Sequence, residues 1–255
     1  MKPIIELKNI YKSFDGKKVI SNHLDLSIEE GSFTAIIGRS GEGKSVLLKQ
    51  MIGLIKPDKG QVFIEGEDIT QLSESEFDHI FEKCGYVFQF AALLDSLNVF
   101  ENVGITALEA GEEPNKVRRE VAKKLKMVGL STDVISKYPS ELSGGMRKRV
   151  GLARTLMRSP RILIYDEPTT GLDPISVRTT HELMKKTHDE IKGTTIVISH
   201  DPDIFNYADT VAMLHEGKII YTGPAKNIWK EKNPFIYQFI RGLSEGPITL
   251  PSKEK

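Results

Sequence analysis

One cysteine, one tryptophan and no surplus of either charge: the 255-residue chain is short of the residues that mark several common classes. A single thiol, Cys84, cannot close an internal disulfide, so a disulfide-framed fold is excluded and a reducing compartment is expected. Cys84 itself reads as an ordinary small core or surface residue. Lys and Arg number 35 and Asp and Glu 35, so the formal net charge is zero and there is no global basic excess of the kind that accompanies nucleic-acid binding. No apolar run approaches the roughly 18–20 residues of a membrane span. The opening "MKPIIELKNIYKSF" scatters charges where a secretory leader would be continuously apolar. If the protein works at a membrane, another chain is expected to supply the crossing. Internal repeats and low-complexity linkers are also missing.

What is present is an ordinary folding composition, 39% hydrophobic and 27% charged, enough to bury a substantial core. "PIIELKNI" and "HLDLSI" alternate as short antiparallel strands do, whereas "SFTAII" is continuously apolar, as a strand buried on both faces is. "VLLKQMIGL" has helical spacing and ends at Gly53. "QVFIEG" and "CGYVFQ" return to strand character. From about Asn98 to Met157 the texture is helical: Val117, Val121, Leu125 and Val128 recur at helical spacing behind Pro114, with Gly129 as a stop. "RILIYDE", "GTTIVISH", "DTVAML" and "KIIYTG" are strands again, with a helix from about Ile175 to Ile191 between the first two. The tail "PAKNIWKEKNPFIYQFIRGL" reads as two short helices, and "PITLPSKEK" as a loose end. The expected fold class is α/β.

Two chemical motifs stand on this frame. "GRSGEGKS", Gly38 to Ser45, fits G-x-x-x-x-G-K-[ST] between a buried strand and a helix. In such a loop the backbone N–H groups of Gly38, Arg39, Ser40, Gly41, Gly43 and, at the helix start, Val46 are placed to close around phosphates. Lys44 meets the β/γ oxygens, and Ser45 offers its hydroxyl to Mg²⁺. The second motif is the apolar strand "ILIYDE", whose tip carries Asp166, suited to hold Mg²⁺, and Glu167, suited to polarise an attacking water. Alone, a Gly-rich turn or an acidic pair at a helix start would explain either motif; following one another in one sheet they point to a nucleotide. A third stretch, "ELSGGMRKRV", sets a serine and two glycines ahead of a basic helix, an anion site without the lysine clamp of the first loop. Ser143 there also suits a simple helix N-cap.

"LSGGM", "YDEPTTGLDP" and "ISH" behind a P-loop resemble the nucleotide-binding subunits of ABC transporters, over about Ile4 to Gly223. The resemblance implies a P-loop NTPase core with a RecA-like mixed sheet, an N-terminal antiparallel β-subdomain and a helical signature-motif subdomain at about 90–160. The ATPase domain would span 1–223, with a helical extension and tail over 224–255. It also implies why the third stretch needs no lysine clamp: Ser143, Gly144 and Gly145 would close on an ATP held by the Gly38–Ser45 loop of a second copy, whose Lys44 supplies the clamp. Gln89 matches the Q-loop glutamine, touching Mg²⁺ and the attacking water. His200 matches the switch histidine and Asp173 the D-loop residue that touches the opposite subunit. Phe14 lies where the family places an aromatic under adenine, with Tyr11 the competing candidate. One chain with both half-sites intact suits a homodimer.

Met146 stands where the family commonly has Gln, and "GRSGEGKSV" replaces the frequent "GPSGSGKST". With "VFQFAALLDSLNVFENV", "ELSGGMRKRVGLAR" and "FIRGLSEGPI", these features resemble the MCE-linked group, ATPase subunits of Mla-type phospholipid transporters. That implies an integral-membrane permease, an MCE-domain protein and a small STAS-domain protein as partners, at the cytoplasmic face of the inner membrane. "FAALL" is equally readable as core of the helical lobe, and Trp229, Phe235, Tyr237 and Phe239 as docking surface or as packing. The alternatives are an ABC ATPase for another substrate and a soluble ABC ATPase of translation or DNA repair, which generally has two cassettes or a long coiled-coil insertion. A GTPase would need an N-K-x-D-type loop where "ISHD" stands.

Overall fold

The computed structural model describes residues 2–16, 18–88 and 91–248, without the side chain of residue 74. Two sheets organise it. The first is antiparallel, in the order β2-β1-β4-β5, from β1 (Pro3–Phe14), β2 (Lys18–Glu29), β4 (Lys59–Ile64) and β5 (Glu67–Asp68). The alternation seen in the sequence covers only part of β1 and β2, because register shifts interrupt their pairing between Leu7 and Lys12. At these irregularities Asn9 and His23 take left-handed backbone (φ 54° and 52°), and bulges of this kind break the two-residue period. Local polar bonds hold the irregularity: Asn9 N–H donates to Asp25 Oδ1 at 2.8 Å, and His23 Nδ1 lies 2.6 Å from Asn9 Oδ1.

The second sheet has six strands in the order β10-β9-β3-β8-β7-β6. They are β3 (Phe33–Ile37), β6 (Cys84–Val87), β7 (Ile162–Asp166), β8 (Thr194–Ile198), β9 (Thr210–His215) and β10 (Lys218–Pro224). All pairings are parallel except β9 with β10. Alternate residues feed two cores. Phe33, Ala35, Ile37, Leu163, Tyr165 and Val197 join one with the helical lobe; Ile36, Ile162, Ile164, Ile196 and Ile198 join the other with the antiparallel sheet and α1 (Lys44–Met51). Burial on both faces is why these strands read as continuous apolar runs.

The helical lobe comprises α3 (Val99–Glu109), α4 (Pro114–Met127) and α5 (Gly144–Leu156). Asn98 and Glu101 form a capping box at the start of α3. Pro114 opens α4, and the Glu113 carboxylate caps it by accepting from Asn115 N and Lys116 N at 2.9 and 2.8 Å. Val117, Val121 and Leu125 are buried as their spacing predicts. The helix α6 (Pro174–Ile191) links β7 to β8, and the tail forms a 3₁₀ turn (Ala225–Lys230) followed by α7 (Pro234–Arg241). One short helix, α2 (Asp78–Lys83), is not apparent in the sequence. Six residues offer little periodicity, and its anchors Phe77 and Ile80 are legible only once packed. This architecture is a P-loop NTPase fold: a mixed RecA-like sheet flanked by an antiparallel β-subdomain and a helical subdomain. No helix among the described residues is long and apolar enough to cross a membrane.

Candidate nucleotide site

β3 delivers its chain directly into residues 38–45, and α1 begins at Lys44. Glycine is required at both ends of the loop by close approach. A Cβ on Gly38 would lie 2.5 Å from the Leu214 carbonyl oxygen, and one on Gly43 (φ +94°) 2.5 Å from Ile20 Cγ2. Ser40 and Gly41 are exposed, and Arg39, Ser45 and Val46 half-buried. The Lys44 side chain is enclosed, and its ammonium donates to the carbonyls of Gly38 and Arg39 at 2.9 and 2.8 Å. Burial pushes the Lys44 pKa down; the charge of Glu167, then of Glu42 and Asp166, partly opposes this.

Beside the loop, β7 presents its two carboxylates to different partners. Asp166 accepts from the Ser45 hydroxyl at 2.9 Å through Oδ1 and from the Tyr86 phenol at 2.7 Å through Oδ2. Burial and then the Asp166 carboxylate drive the Tyr86 phenol far above its ordinary value, so it stays a donor. Glu167 turns away through left-handed backbone, φ 47°. Its Oε1 lies 3.8 Å from Lys44 Nζ, while its Oε2 accepts from Thr170 Oγ1 at 3.0 Å and lies 4.0 Å from His200 Nδ1. Lys44, Ser45, Asp166, Glu167 and His200 are thus brought together. Tyr86 and Thr170 join them although sequence reading singled out neither.

The remaining candidates are placed separately. Ser143 caps α5, its Oγ accepting from Met146 N–H at 3.2 Å, and Ser143, Gly144 and Gly145 are exposed. Because that oxygen accepts, its own proton is available to an outside acceptor. Asp173 caps α6, accepting from Ile175 N, Ser176 N and Ser176 Oγ at 3.0, 3.1 and 2.6 Å. These bonds, led by the Ser176 hydroxyl, hold its carboxyl below the usual range. The Phe14 ring is 41% exposed with Lys12 Nζ 5.6 Å from its centroid, whereas the Tyr11 ring is flanked by His23 at 5.7 Å and Lys59 Nζ at 5.9 Å. Gln89 lies outside the described residues.

The donor set suits Mg²⁺ held chiefly by phosphate. Among the described residues there is no cluster of three or more His, Cys, Asp or Glu that could cage a metal. One hydroxyl and one carboxylate, both hard oxygen ligands, match an ion that keeps most of its shell from water and substrate phosphates.

A glycine loop with a buried lysine, a serine hydroxyl and two carboxylates at the tip of a parallel strand of the same sheet, beyond β8, define a P-loop nucleoside triphosphatase. Within that class the chain belongs to the ABC transporter family, whose family profile matches residues 21–170. It is therefore an ATP-binding, ATP-hydrolysing protein of that family. It is 36% identical to the intermembrane phospholipid transport system ATP-binding protein MlaF of Haemophilus influenzae, over 96% of this chain and 93% of that one. It is 37% identical to the probable ribonucleotide transport ATP-binding protein mkl of Mycobacterium leprae, over 98% of this chain and 72% of the relative. A solved dimer of the ATP-binding cassette MJ0796, in a post-hydrolysis state bound to ADP and Pi, superposes with a TM-score of 0.79 at 30% identity, covering 87% of this chain and 98% of the other.

Proposed function

We propose that two copies of this chain close on two ATP molecules and drive an integral-membrane permease that moves phospholipid between membranes. The location would be the cytoplasmic face of the inner membrane. An MCE-domain protein and a small STAS-domain protein would complete the assembly. The observation that carries the phospholipid reading is the likeness to MlaF along nearly the full length of both chains. The likeness to mkl makes a ribonucleotide cargo the second reading.

Within each site the proposed roles are those that the motifs and the family resemblance imply. The backbone N–H groups of Gly38, Arg39, Ser40, Gly41, Gly43 and Val46 bind the phosphates, and Lys44 exchanges its carbonyl partners for β/γ oxygens. Ser45 and Asp166, already in contact, would hold Mg²⁺ together with Gln89. When bound, Mg²⁺ neutralises charge developing on the transferred phosphoryl group. Glu167 takes the proton of the attacking water, with Thr170 fixing one of its oxygens. His200 steadies the γ-phosphate. Phe14 stacks on adenine, and Ser143, Gly144, Gly145 and Asp173 act across the dimer on the partner's nucleotide.

The test is affinity purification of the tagged chain from detergent-solubilised native membranes, with mass spectrometry of proteins and lipids. A multi-span permease, an MCE-domain protein and phospholipid are expected together. A different permease without phospholipid overturns the cargo assignment, and recovery of ribosomes or repair proteins with no permease overturns the transport reading.

A further inference from the structure

Glu42 stands inside the phosphate loop, between Gly41 and Gly43, and none of the roles above uses it. A carboxylate there is an electrostatic burden, because the incoming nucleotide is itself polyanionic and like charges at close range repel. Its charge is near enough to bear on Lys44. Yet both carboxylate oxygens are turned onto the β9–β10 turn. Oε1 lies 3.0 Å from His215 Nδ1, and Oε2 accepts the Glu216 backbone N–H at 2.7 Å. The pair is largely enclosed, with 12% of the His215 and 10% of the Glu42 side chain exposed. The imidazole in turn lies against Phe235 of α7, ring centroids 4.9 Å apart and tilted by 45°. The segment around this turn touches the loop and the β-subdomain at further points: Leu214 O sits over Gly38, and Gly217 O accepts from Asn22 N–H at 2.9 Å.

We infer that Glu42 and His215 are a positioning pair for nucleotide binding, which draws the Glu42 carboxylate out of the phosphate cradle and pins the loop to the β9–β10 turn, with Phe235 of the C-terminal helix holding the imidazole in place. The inference rests on residues 38–45 being the nucleotide loop. It gives α7, which contributes no residue to the site, a route to it through one ring contact and one hydrogen bond. A partner that shifts α7 would change affinity for ATP without touching the nucleotide. The sequence contains no sign of this pairing, since 173 positions separate the two residues.

The experiment uses the purified full chain, measuring steady-state ATP hydrolysis with Mg²⁺, direct ATP titration and thermal unfolding. In His215→Ala the freed carboxylate competes with phosphate, so KM and Kd for ATP rise about tenfold, the scale of one hydrogen bond to a charged group. At saturating ATP, kcat stays within about twofold of the parent, the signature of lost binding common to ground and transition states. Adding Glu42→Ser to His215→Ala restores affinity to within about threefold, because no carboxylate remains to restrain; a merely structural contact would not be rescued by removing its second half. Phe235→Ala raises KM in the parent and leaves it unchanged in the Glu42→Ser background, a comparison that stands even if His215→Ala does not fold. Lys44→Ala in the same assays separates the two levels. If Lys44→Ala leaves ATP affinity intact, the nucleotide loop is misassigned. If Lys44→Ala weakens binding while His215→Ala does not, or while the double variant stays as weak as His215→Ala, the pairing alone is overturned.

Discussion

Asp166 and Glu167 are chemically alike and adjacent, and the structure separates them by one backbone dihedral. Asp166 continues β7 and meets the Ser45 hydroxyl, while Glu167, at φ 47°, swings toward Lys44, Thr170 and His200. A non-glycine residue in that region is uncommon and is retained where the environment demands the direction it gives. Glu167→Gln preserves the backbone and the Thr170 bond while removing basicity. Steady-state phosphate release should slow by about 10²–10⁴-fold, and an ATP-bound dimer should accumulate on size exclusion; hydrolysis at the parental rate would remove Glu167 from the base role. At this scale, legibility follows chain distance. Lys44, Ser45 and the acidic pair belong to short fixed-spacing patterns and could be named beforehand. Tyr86 could not, because its bond to Asp166 exists only once β6 pairs with β7 in the register that sets Tyr86 opposite Ile164. Thr170 was in view within "YDEPTTGLDP", but nothing in that string says which threonine reaches back to Glu167.

Among the elements, those with a sustained period were legible and those shaped by irregularity were not. The buried strands of the six-stranded sheet and the amphipathic α4 lie where their apolar patterns put them. β1 and β2 run further than their alternation suggests because Asn9 and His23 absorb the slips. Beyond the shared apolar core, an ionic joint between the sheets was invisible in sequence. Glu65, after β4, meets Lys83 at the end of α2 at 3.0 Å and also pairs with Arg161 just before β7. Burial alone would raise the Glu65 carboxyl, but the Lys83 hydrogen bond and the charges of Lys83, Arg161 and Lys2 outweigh it and hold it below its usual range. A depressed carboxyl stabilises the fold fully above the ordinary value of 4.5, and that contribution is lost as pH falls through the depressed one. Thermal unfolding followed from pH 7 downward should therefore show a steep acid limb below that value in the parent. The limb should be shallower in Glu65→Gln; identical slopes would mean the joint carries no charge-dependent stability.

For the whole molecule, the arrangement of half-sites makes a quantitative demand. If each nucleotide lies between the loop of one copy and the Ser143 segment of another, Lys44→Ala and Ser143→Arg chains are each inactive alone. A mixed dimer of the two has one site with both lesions and one with none. Random mixing should then recover about a quarter of parental ATPase activity, since half the dimers are mixed and each has one intact site. No recovery, with mixed dimers demonstrated by tag exchange, would mean that the sites do not span two copies.

The strand order has a consequence for how the chain is made. β3, which aims the phosphate loop, sits between β8 and β9, with Phe33 opposite Thr195 and Thr34 opposite Thr210. On the ribosome this apolar strand emerges early and has no neighbours until more than 150 further residues have been added, a wait of order ten seconds or more at usual elongation rates. Long-range parallel pairing of this kind is slow and leaves sticky edges exposed in the interval. Truncated nascent chains ending before β8 should therefore depend on chaperones, and the loop that grips ATP would be among the last parts of the newborn protein to take shape.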